Sequence, residues 1–317
     1  MASQPAAEKR TVSAGRNQFL EGMRARLTDG TRARQMLITL MADYWLAEGA
    51  LAPSGVLVDL MGDFGVSVSG SRTLLSRLTK EGRFVAVKDG RRTFYRLSEQ
   101  ARVRIAGGLR RIADFGDLAR GDAGCWTCIA FSVPEQQRAV RQQLRKGLSW
   151  LGFAPLYDGL WITPRPVARD AEALVVALGV GQASIFEGRI EGIGGCHGKP
   201  TDAWDIEGIA QLYREFLAGA GGFADMADAD PVEALVLRTE LVNVWRSFPR
   251  IDPDLPLDLL PPDWPRAQAH ASFVRTYDAL APAAMRRVRG ALDRIAPDYG
   301  QHVAAHILGT RTGALLA

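Results

Sequence analysis

The sequence is poor in cysteine and has no long apolar run. Three cysteines in 317 residues are too few for a disulfide framework in a chain of this length. The longest apolar stretches, such as LVVALGVG, fall well short of the roughly 20 residues that cross a bilayer. The first thirty residues are polar and charged, and they lack the apolar core of a secretory signal. We therefore expect a cytoplasmic protein that does not enter a membrane.

Charge is distributed unevenly along the chain. Residues 1–120 hold 20 Lys and Arg against 12 Asp and Glu, a net of +8. Residues 121–317 hold 19 against 23, a net of −4. A basic N-terminal part joined to an acidic remainder favours contact with a polyanion, although chance clustering of surface arginines would produce the same imbalance.

Hydrophobic periodicity predicts three helices and a hairpin in the N-terminal part. The apolar stripe of RQMLITLMADYW predicts the first helix, and GVLVDLMGDF predicts the second. The segment VSVSGSRTLLSRLTKEG predicts a third helix that Ser67 or Ser69 caps and Gly82 ends. In RFVAVKDGRRTFYRL, alternation around a turn at Asp89-Gly90 indicates a β-hairpin. This order of elements predicts a winged helix-turn-helix.

The rest of the chain predicts two more domains. Residues 121–205 alternate between strands and helices in the βαββαβ order of a ferredoxin-like domain. Beyond them, helices are expected near 205–219, 231–248 and 266–294, interrupted by the proline-rich IDPDLPLDLLPPDWP. The expected fold is α+β, with a flexible N-terminal arm (1–30), a winged helix-turn-helix (31–97), a connecting helix (98–120), a ferredoxin-like middle domain (121–205) and a mostly helical C-terminal domain (206–317).

The third helix and the hairpin carry the side chains that a DNA-binding surface needs. The major groove of DNA admits one α-helix, in which Arg pairs with guanine and Ser or Thr reaches bases and phosphates. Cations at a hairpin tip neutralise phosphates beside the groove. The alternative is a small helical domain whose charges are merely solvated, but a basic helix followed at once by a basic hairpin favours DNA. The expected contacts to double-stranded DNA are Ser69, Ser71, Arg72, Thr73, Ser76, Arg77, Lys80, Lys88, Arg91 and Arg92.

Three blocks of sequence resemble a known family. The first comprises RQMLITLMADYW, SGSRTLLSRLTKEGRF and GRRTFYRLSEQ, the second is WTCIAFSVPEQQRAVRQQLRKGLSWLGFAPLYDGLWITP, and the third is LVNVWRSFPRIDPDLPLDLLPPDWP. In this order they resemble the PaaX family of bacterial transcriptional repressors, which control phenylacetate degradation. The resemblance implies a homodimer that represses a catabolic operon from a palindromic operator. It also implies release by an acyl-coenzyme A effector, phenylacetyl-CoA in the best-known members, without catalytic residues or a cofactor.

Two segments contain candidate contacts to such an effector. The glycine-rich IEGIGGCHGKP is either a plain loop or an anion site built from backbone N–H groups. The segment 246–265 either fastens the last domain to the rest or borders an effector pocket, where arginine would meet phosphate and tryptophan a ring. The expected effector contacts are His197, Lys199, Arg246, Arg250 and Trp264.

One alternative is a metal-dependent nuclease. By the resemblance, the middle domain is similar to the small CRISPR-associated ferredoxin-like nuclease, which needs a metal-binding carboxylate at the end of its first strand. Here CWTCIAFSVP ends without Asp or Glu, so that only Asp158 or Asp170 remains as a conceivable replacement. We therefore expect no enzymatic activity.

The other alternative is a metal or redox sensor that also binds DNA. Cys125 and Cys128 form a C-x-x-C pair, and Cys196 with His197 adds two potential zinc ligands. Residues three apart on a strand point to opposite faces, however, and adjacent residues diverge. We therefore expect small buried cysteines and no metal site.

Overall fold

The structure, a computed structural model, describes residues 19–20, 22–25, 32–115, 125–190, 199–220, 229–309 and 315–316. It is a mixed α+β protein with two compact units. The first unit takes the described residues up to 115, those in 216–247 and those from 270 onward. The second takes those in 116–215 and 248–269. Within the described ranges, no helix combines the length and the apolar character needed to span a bilayer.

Seven elements of the first unit come from its N-terminal part. They are helix α1 (Arg32–Tyr44), strand β1 (Ala52–Pro53), helices α2 (Ser54–Asp63) and α3 (Val68–Lys80), strands β2 (Phe84–Asp89) and β3 (Arg92–Leu97), and helix α4 (Glu99–Asp114). The predicted order of three helices and a hairpin is confirmed. The strands form an antiparallel sheet in the order β1-β3-β2. Strand β1 was not predicted, because two residues are too few to show an alternating pattern.

Local sequence explains the ends of α3 and the turn of the hairpin. The hydroxyl of Ser67 accepts a hydrogen bond from the amide of Gly70 at 3.1 Å, which makes Ser67 the N-cap. Past the helix end, Gly82 has a φ of 69°. The hairpin register runs without a break to the pair Asp89 and Arg92, which leaves Gly90 and Arg91 as a two-residue loop. Gly90 has a φ of 55°, as the first residue of such a loop requires.

The second unit contains a four-stranded antiparallel sheet with two helices. Its elements are β4 (Trp126–Ser132), α5 (Arg138–Leu151), β5 (Ala154–Tyr157), β6 (Leu160–Thr163), α6 (Ala168–Leu178) and β7 (Gln182–Gly188). The predicted strand and helix order of this segment is confirmed. The strands lie in the order β5-β6-β4-β7, so that the first strand is central.

An apolar core joins the two helices to one face of this sheet. Ile129 and Trp161 face Leu148 of α5 and Ala171 of α6 in one buried cluster. At Gly147 a side chain would stand within 2.5 Å of Leu174, so that the glycine permits close approach of the helices. The apolar face of α5, with Leu144 and Leu148, is therefore the face that packs on the sheet.

The remaining elements are mostly helical. They are α7 (Ile206–Ala220), α8 (Pro231–Trp245), the short α9 (Phe248–Ile251), α10 (Arg266–Ile295) and the paired strands β8 (Ala305–His306) and β9 (Leu315–Leu316). The three helices predicted in this region are confirmed. Helices α7 and α10 have residues in both units, so that the segment 206–317 contributes to both.

Helix α8 is buried on every side in the first unit. Asp230 caps its N-terminus by accepting hydrogen bonds from the amides of Val232 and Glu233 at 3.0 and 3.1 Å. The helix packs against α1, where the hydroxyl of Thr39 donates to the side-chain amide oxygen Oδ1 of Asn243 at 3.1 Å. Apolar side chains on all sides of α8 place it in the centre of the core, where its polar residues Arg238, Glu240 and Asn243 are buried as well.

A charged cluster lies within that core and is centred on Arg238, which is fully buried. The guanidinium donates hydrogen bonds to the hydroxyl of Tyr44 and to the carbonyl oxygens of Tyr277 and His306. It also lies 3.6 Å from the Asp43 carboxylate and 3.8 Å from the centre of the Tyr277 ring. Tyr277 in turn donates its hydroxyl hydrogen to Asp43 at 2.8 Å. The cluster thus joins α1, α8, α10 and β8.

A short part of the expected N-terminal arm is described. Residues 19–20 and 22–25 are helical, and Leu20 and Met23 are buried in the first unit. The Arg24 guanidinium lies 3.2 Å from the buried Glu240 carboxylate. The other residues of 1–30 lie outside the described residues.

Candidate nucleic-acid interface

Helix α3 has one buried face and one open polar face. Leu75 and Leu78 are buried against the rest of the first unit. On the opposite side an open groove of about 450 Å³ is lined, among the described residues, by five side chains from the sequence prediction. These are Arg72, Thr73, Ser76, Arg77 and Lys80. Steps of three and four residues place them together on the helix surface.

The two remaining serines of the prediction lie differently. Ser69 is exposed in the first turn, and its carbonyl oxygen accepts a hydrogen bond from the Thr73 hydroxyl at 2.9 Å. Ser71 is fully buried, and its hydroxyl donates to the carbonyl oxygen of Ser67 at 3.0 Å. Ser71 therefore faces the interior and is not available to a ligand on the open face, because it lies one position before Arg72 and about 100° around the helix.

The hairpin presents the other three predicted cations. Lys88, Arg91 and Arg92 are exposed around the two-residue loop, whereas Phe94 is buried further down β3. Tyr299, from the turn that follows α10, packs its ring on Phe94 with the ring centres 4.4 Å apart. Its hydroxyl donates to the Asp89 carboxylate at 2.5 Å. Tyr299, from the C-terminal part of the chain, therefore contacts the hairpin next to its loop.

The arginines near α3 differ in whether they have a partner. The Glu81 carboxylate, just past the helix, accepts hydrogen bonds from Arg34 at 2.7 and 2.9 Å and from Arg77 at 3.2 Å. Arg83 lies 3.5 Å away. The hydrogen bonds from Arg34 are the largest of the effects that hold the pKa of Glu81 below its usual range. In the part of the chain that the structure describes, no carboxylate pairs with Arg72, Lys80, Lys88, Arg91 or Arg92.

Sequence reasoning missed Arg34, Glu81 and Tyr299. Arg34 and Glu81 are 47 residues apart, and Tyr299 and Asp89 are 210 apart. A single sequence has no signal for such pairs, because side-chain periodicity reports only neighbours on the same helix or strand.

Three family models match successive parts of the chain. The PaaX-like protein model matches residues 32–101, the model of the PaaX protein central Cas2-like domain matches 120–199, and the model of the PaaX-like protein C-terminal domain matches 204–290.

The chain belongs to the PaaX family.

Individual relatives agree with this membership. The Transcriptional repressor PaaX of Escherichia coli (strain K12) is 26% identical over 244 residues, which are 73% of this chain and 75% of that protein. A solved structure, the uncharacterized protein Rv0674 from Mycobacterium tuberculosis, is 24% identical with a TM-score of 0.53. That match covers 79% of this chain and 95% of the other. At such identity it shows a shared fold alone.

The predicted effector contacts of this PaaX-family chain are not brought together within one unit. His197 lies outside the described residues, and Arg246 follows α8 in the first unit. In the second unit, Lys199 is exposed and begins a short turn, and Arg250 lies with its guanidinium 4.9 Å from the centre of the Trp150 ring. Trp264 is buried against Tyr213.

The proline-rich segment is held by hydrogen bonds inside the second unit. Arg165 donates to the carbonyl oxygens of Pro249 and Asp252, each at 3.0 Å. The Asp252 carboxylate accepts from the Tyr213 hydroxyl at 2.7 Å and from Arg266 at 3.2 Å. Burial is the main reason that the pKa of Asp252 lies above its ordinary value. These contacts hold the segment within the second unit.

The two described cysteines are separated by burial. Cys125 is exposed just before β4, and Cys128 is buried within it, where burial raises the pKa of the thiol. Cys196 and His197 lie outside the described residues. Among the residues that are described, no three His, Cys, Asp or Glu side chains converge on a possible metal position.

Proposed function

We propose that this chain is a transcriptional repressor that binds operator DNA through α3 and the β2–β3 hairpin. The observation that carries the proposal is the open face of α3, on which arginine, lysine and hydroxyl side chains stand together above a buried apolar face. Arg72, Lys80 and the hairpin cations lack carboxylate partners among the described residues. Unpaired surface cations aligned on one helix fit the phosphates and guanines of a duplex.

In this proposal the N-terminal part acts as a winged helix-turn-helix. Helices α2 and α3 are the helix-turn-helix pair, α3 is the recognition helix, and the hairpin is the wing. The middle segment is a ferredoxin-like domain, which the element order and the antiparallel sheet support. Neither unit needs a catalytic residue for this role, and β4 contains no carboxylate.

Control by a ligand completes the proposed mechanism. A homodimer presents two recognition helices spaced to match two half-sites. An aryl- or acyl-CoA ester, such as phenylacetyl-CoA, would release the operator by preferring the dimer geometry whose helices do not match that spacing.

The DNA proposal is tested by fluorescence anisotropy with the protein's own upstream region. We expect sequence-specific binding that weakens steeply with salt. The variant Arg72→Ala should lower specific affinity by about 5- to 150-fold, the range for one bidentate base contact. The matched control is Arg169→Ala, an exposed arginine of α6, which should leave affinity unchanged. Equal affinity for every duplex, or equal loss in both variants, would contradict the proposal.

The ligand is tested in the same assay. Phenylacetyl-CoA added to the preformed complex should release specific DNA, while free coenzyme A should not. Specific binding that resists phenylacetyl-CoA but yields to another aryl- or fatty-acyl-CoA ester would keep the repressor and change its effector. Specific binding that resists every acyl-CoA would remove this part of the proposal.

A further inference from the structure

The hairpin that carries Lys88, Arg91 and Arg92 extends beyond the pairs that β1 makes with Phe94 and Tyr95, so that its part near the loop is a two-stranded ribbon. Most residues of β2 beyond Phe84 are exposed or half-buried. A two-stranded ribbon is marginally stable in water unless a further surface packs on it. The position of its cations therefore depends on what contacts the strands near the loop.

Tyr299 makes that contact with both its ring and its hydroxyl. The ring lies on Phe94, and the hydroxyl donates to Asp89, the residue that pairs with Arg92 across the loop. The hydrogen bond to Asp89 is the main cause that raises the pKa of Tyr299 above its ordinary value of 10.0. The hydroxyl is protonated at neutral pH even without this shift, and it can therefore donate to the carboxylate. One side chain thus reaches the last residue pair before the loop.

The segment that carries Tyr299 is itself fixed to the helix-turn-helix. Arg287 of α10 bonds Asp59 and Asp63 of α2 at 2.8 to 3.0 Å. At the end of α10, the penultimate residue Arg294 lies 2.7 Å from Asp59. Only a short turn separates that end from Tyr299. The hairpin and α2 therefore both contact the same C-terminal segment, residues 287–299.

We propose that Tyr299 is a positioning residue for the DNA-contacting hairpin, which it holds in a fixed orientation relative to α2. This inference rests on the proposed DNA binding. Tyr299 touches no phosphate in this mechanism. It acts by ordering the loop, so that Lys88, Arg91 and Arg92 meet the backbone without first losing conformational freedom.

The test is a double-mutant cycle on operator affinity. Tyr299→Phe keeps the ring on Phe94 and removes only the hydroxyl. It should weaken binding about fivefold, the factor that corresponds to the net free energy of one hydrogen bond. The triple variant Lys88→Gln/Arg91→Gln/Arg92→Gln should weaken binding by itself. In that background Tyr299→Phe should have no further effect, because no cations remain to be positioned.

Hydrogen exchange of the free protein supplies a readout that does not depend on DNA. Tyr299→Phe should speed amide exchange in β2 and β3 near the loop and leave exchange in α3 unchanged. Tyr157→Phe, at an exposed tyrosine of the second unit, is the matched control and should change neither exchange nor affinity. Unchanged hairpin exchange, or a fivefold loss that persists in the triple variant, would overturn the inference. Faster amide exchange in the hairpin with unaltered operator affinity would also overturn the inference. The Arg72→Ala variant tests DNA binding itself, so failure of the proposed function can be told apart from failure of this inference.

Discussion

The first unit contains two kinds of arginine, and their surroundings separate fold from function. Arg238 is fully buried and meets two carbonyl oxygens, a hydroxyl, a carboxylate and an aromatic ring. Arg72 is exposed on α3, and no described carboxylate pairs with it. A buried cation must be paired because desolvation is expensive, whereas an exposed one needs no internal partner. The buried arginine therefore specifies the core, and the exposed one is available to an external anion.

The largest expected effect is on stability, at Arg238. Arg238→Met leaves the buried Asp43 without its cation, which should lower the free energy of unfolding by about 3–5 kcal/mol. Urea denaturation followed by circular dichroism measures it. The paired variant Arg238→Met/Asp43→Leu should recover much of the loss, because no charge then remains unpaired. A single variant with wild-type stability would contradict the comparison.

A smaller effect is expected from His306, whose carbonyl oxygen binds Arg238. Burial lowers the pKa of His306 below its ordinary value of 6.5, with Asp43, Arg238 and Asp278 as the neighbouring charges. Below pH 6.5 His306 binds a proton in the unfolded chain, whereas in the folded chain it stays neutral until the pH falls to its lower pKa. The contribution to stability is therefore complete above pH 6.5 and is lost as the pH falls towards the folded pKa, by at most about 1.4 kcal/mol per pH unit.

The difference between wild type and His306→Gln isolates this contribution. Urea denaturation at pH 7.5 and at pH 5.5 should show a smaller loss of stability on acidification in the variant. The same pH dependence in both proteins would mean that His306 does not titrate differently in the folded state.

The last prediction concerns arginines that are exposed but have an internal partner, and it expects a small change in operator affinity. Arg34, Arg77 and Arg83 share the Glu81 carboxylate beside the open face of α3. Glu81→Gln removes that charge, so operator affinity should rise about threefold and its salt dependence should steepen. Anisotropy titrations at several salt concentrations measure both.

Glu99→Gln is the matched control for this experiment. Glu99 is likewise exposed and pairs with an arginine, Arg102 at 2.7 Å, but it lies on α4. It should leave DNA affinity unchanged. Equal gains in the two variants would indicate a general effect of net charge and would count against a specific role of the arginines around Glu81.

Elements with a complete local pattern were predictable from the sequence. The third helix was expected between Ser67 or Ser69 and Gly82, and it spans Val68–Lys80 with Ser67 as its cap. The hairpin followed from alternation and a glycine turn, although the loop is centred on Gly90 and Arg91 rather than on Asp89 and Gly90. Caps, turns and periodic faces depend on residues within a few positions, so a single sequence contains them.

The polar face of α3 was predictable for the same reason, but which residues at its edge are exposed was not. Five of the predicted side chains line one groove, but Ser71 is buried beside them. Periodicity shows that a residue such as Ser71 lies at the edge of a helix face. It does not show whether the neighbouring elements bury that residue or leave it exposed. Strand β1 escaped prediction because its pairing with β3 depends on a partner some forty residues away, not on its own two residues.

Local backbone preference and side-chain spacing set where helices and strands form and which side of each is apolar, so the sequence alone was enough to predict them. It also determined the excess of positive charge in the N-terminal part. Which charged side chains pair inside the fold depends on contacts between distant segments. Arg238 pairs with Asp43, which is 195 residues away in the sequence, and Arg287 pairs with Asp59, which is 228 residues away. Arg72 has no carboxylate partner among the described residues. Such pairs form when distant segments pack, since burial makes a charge costly unless an opposite charge arrives with it.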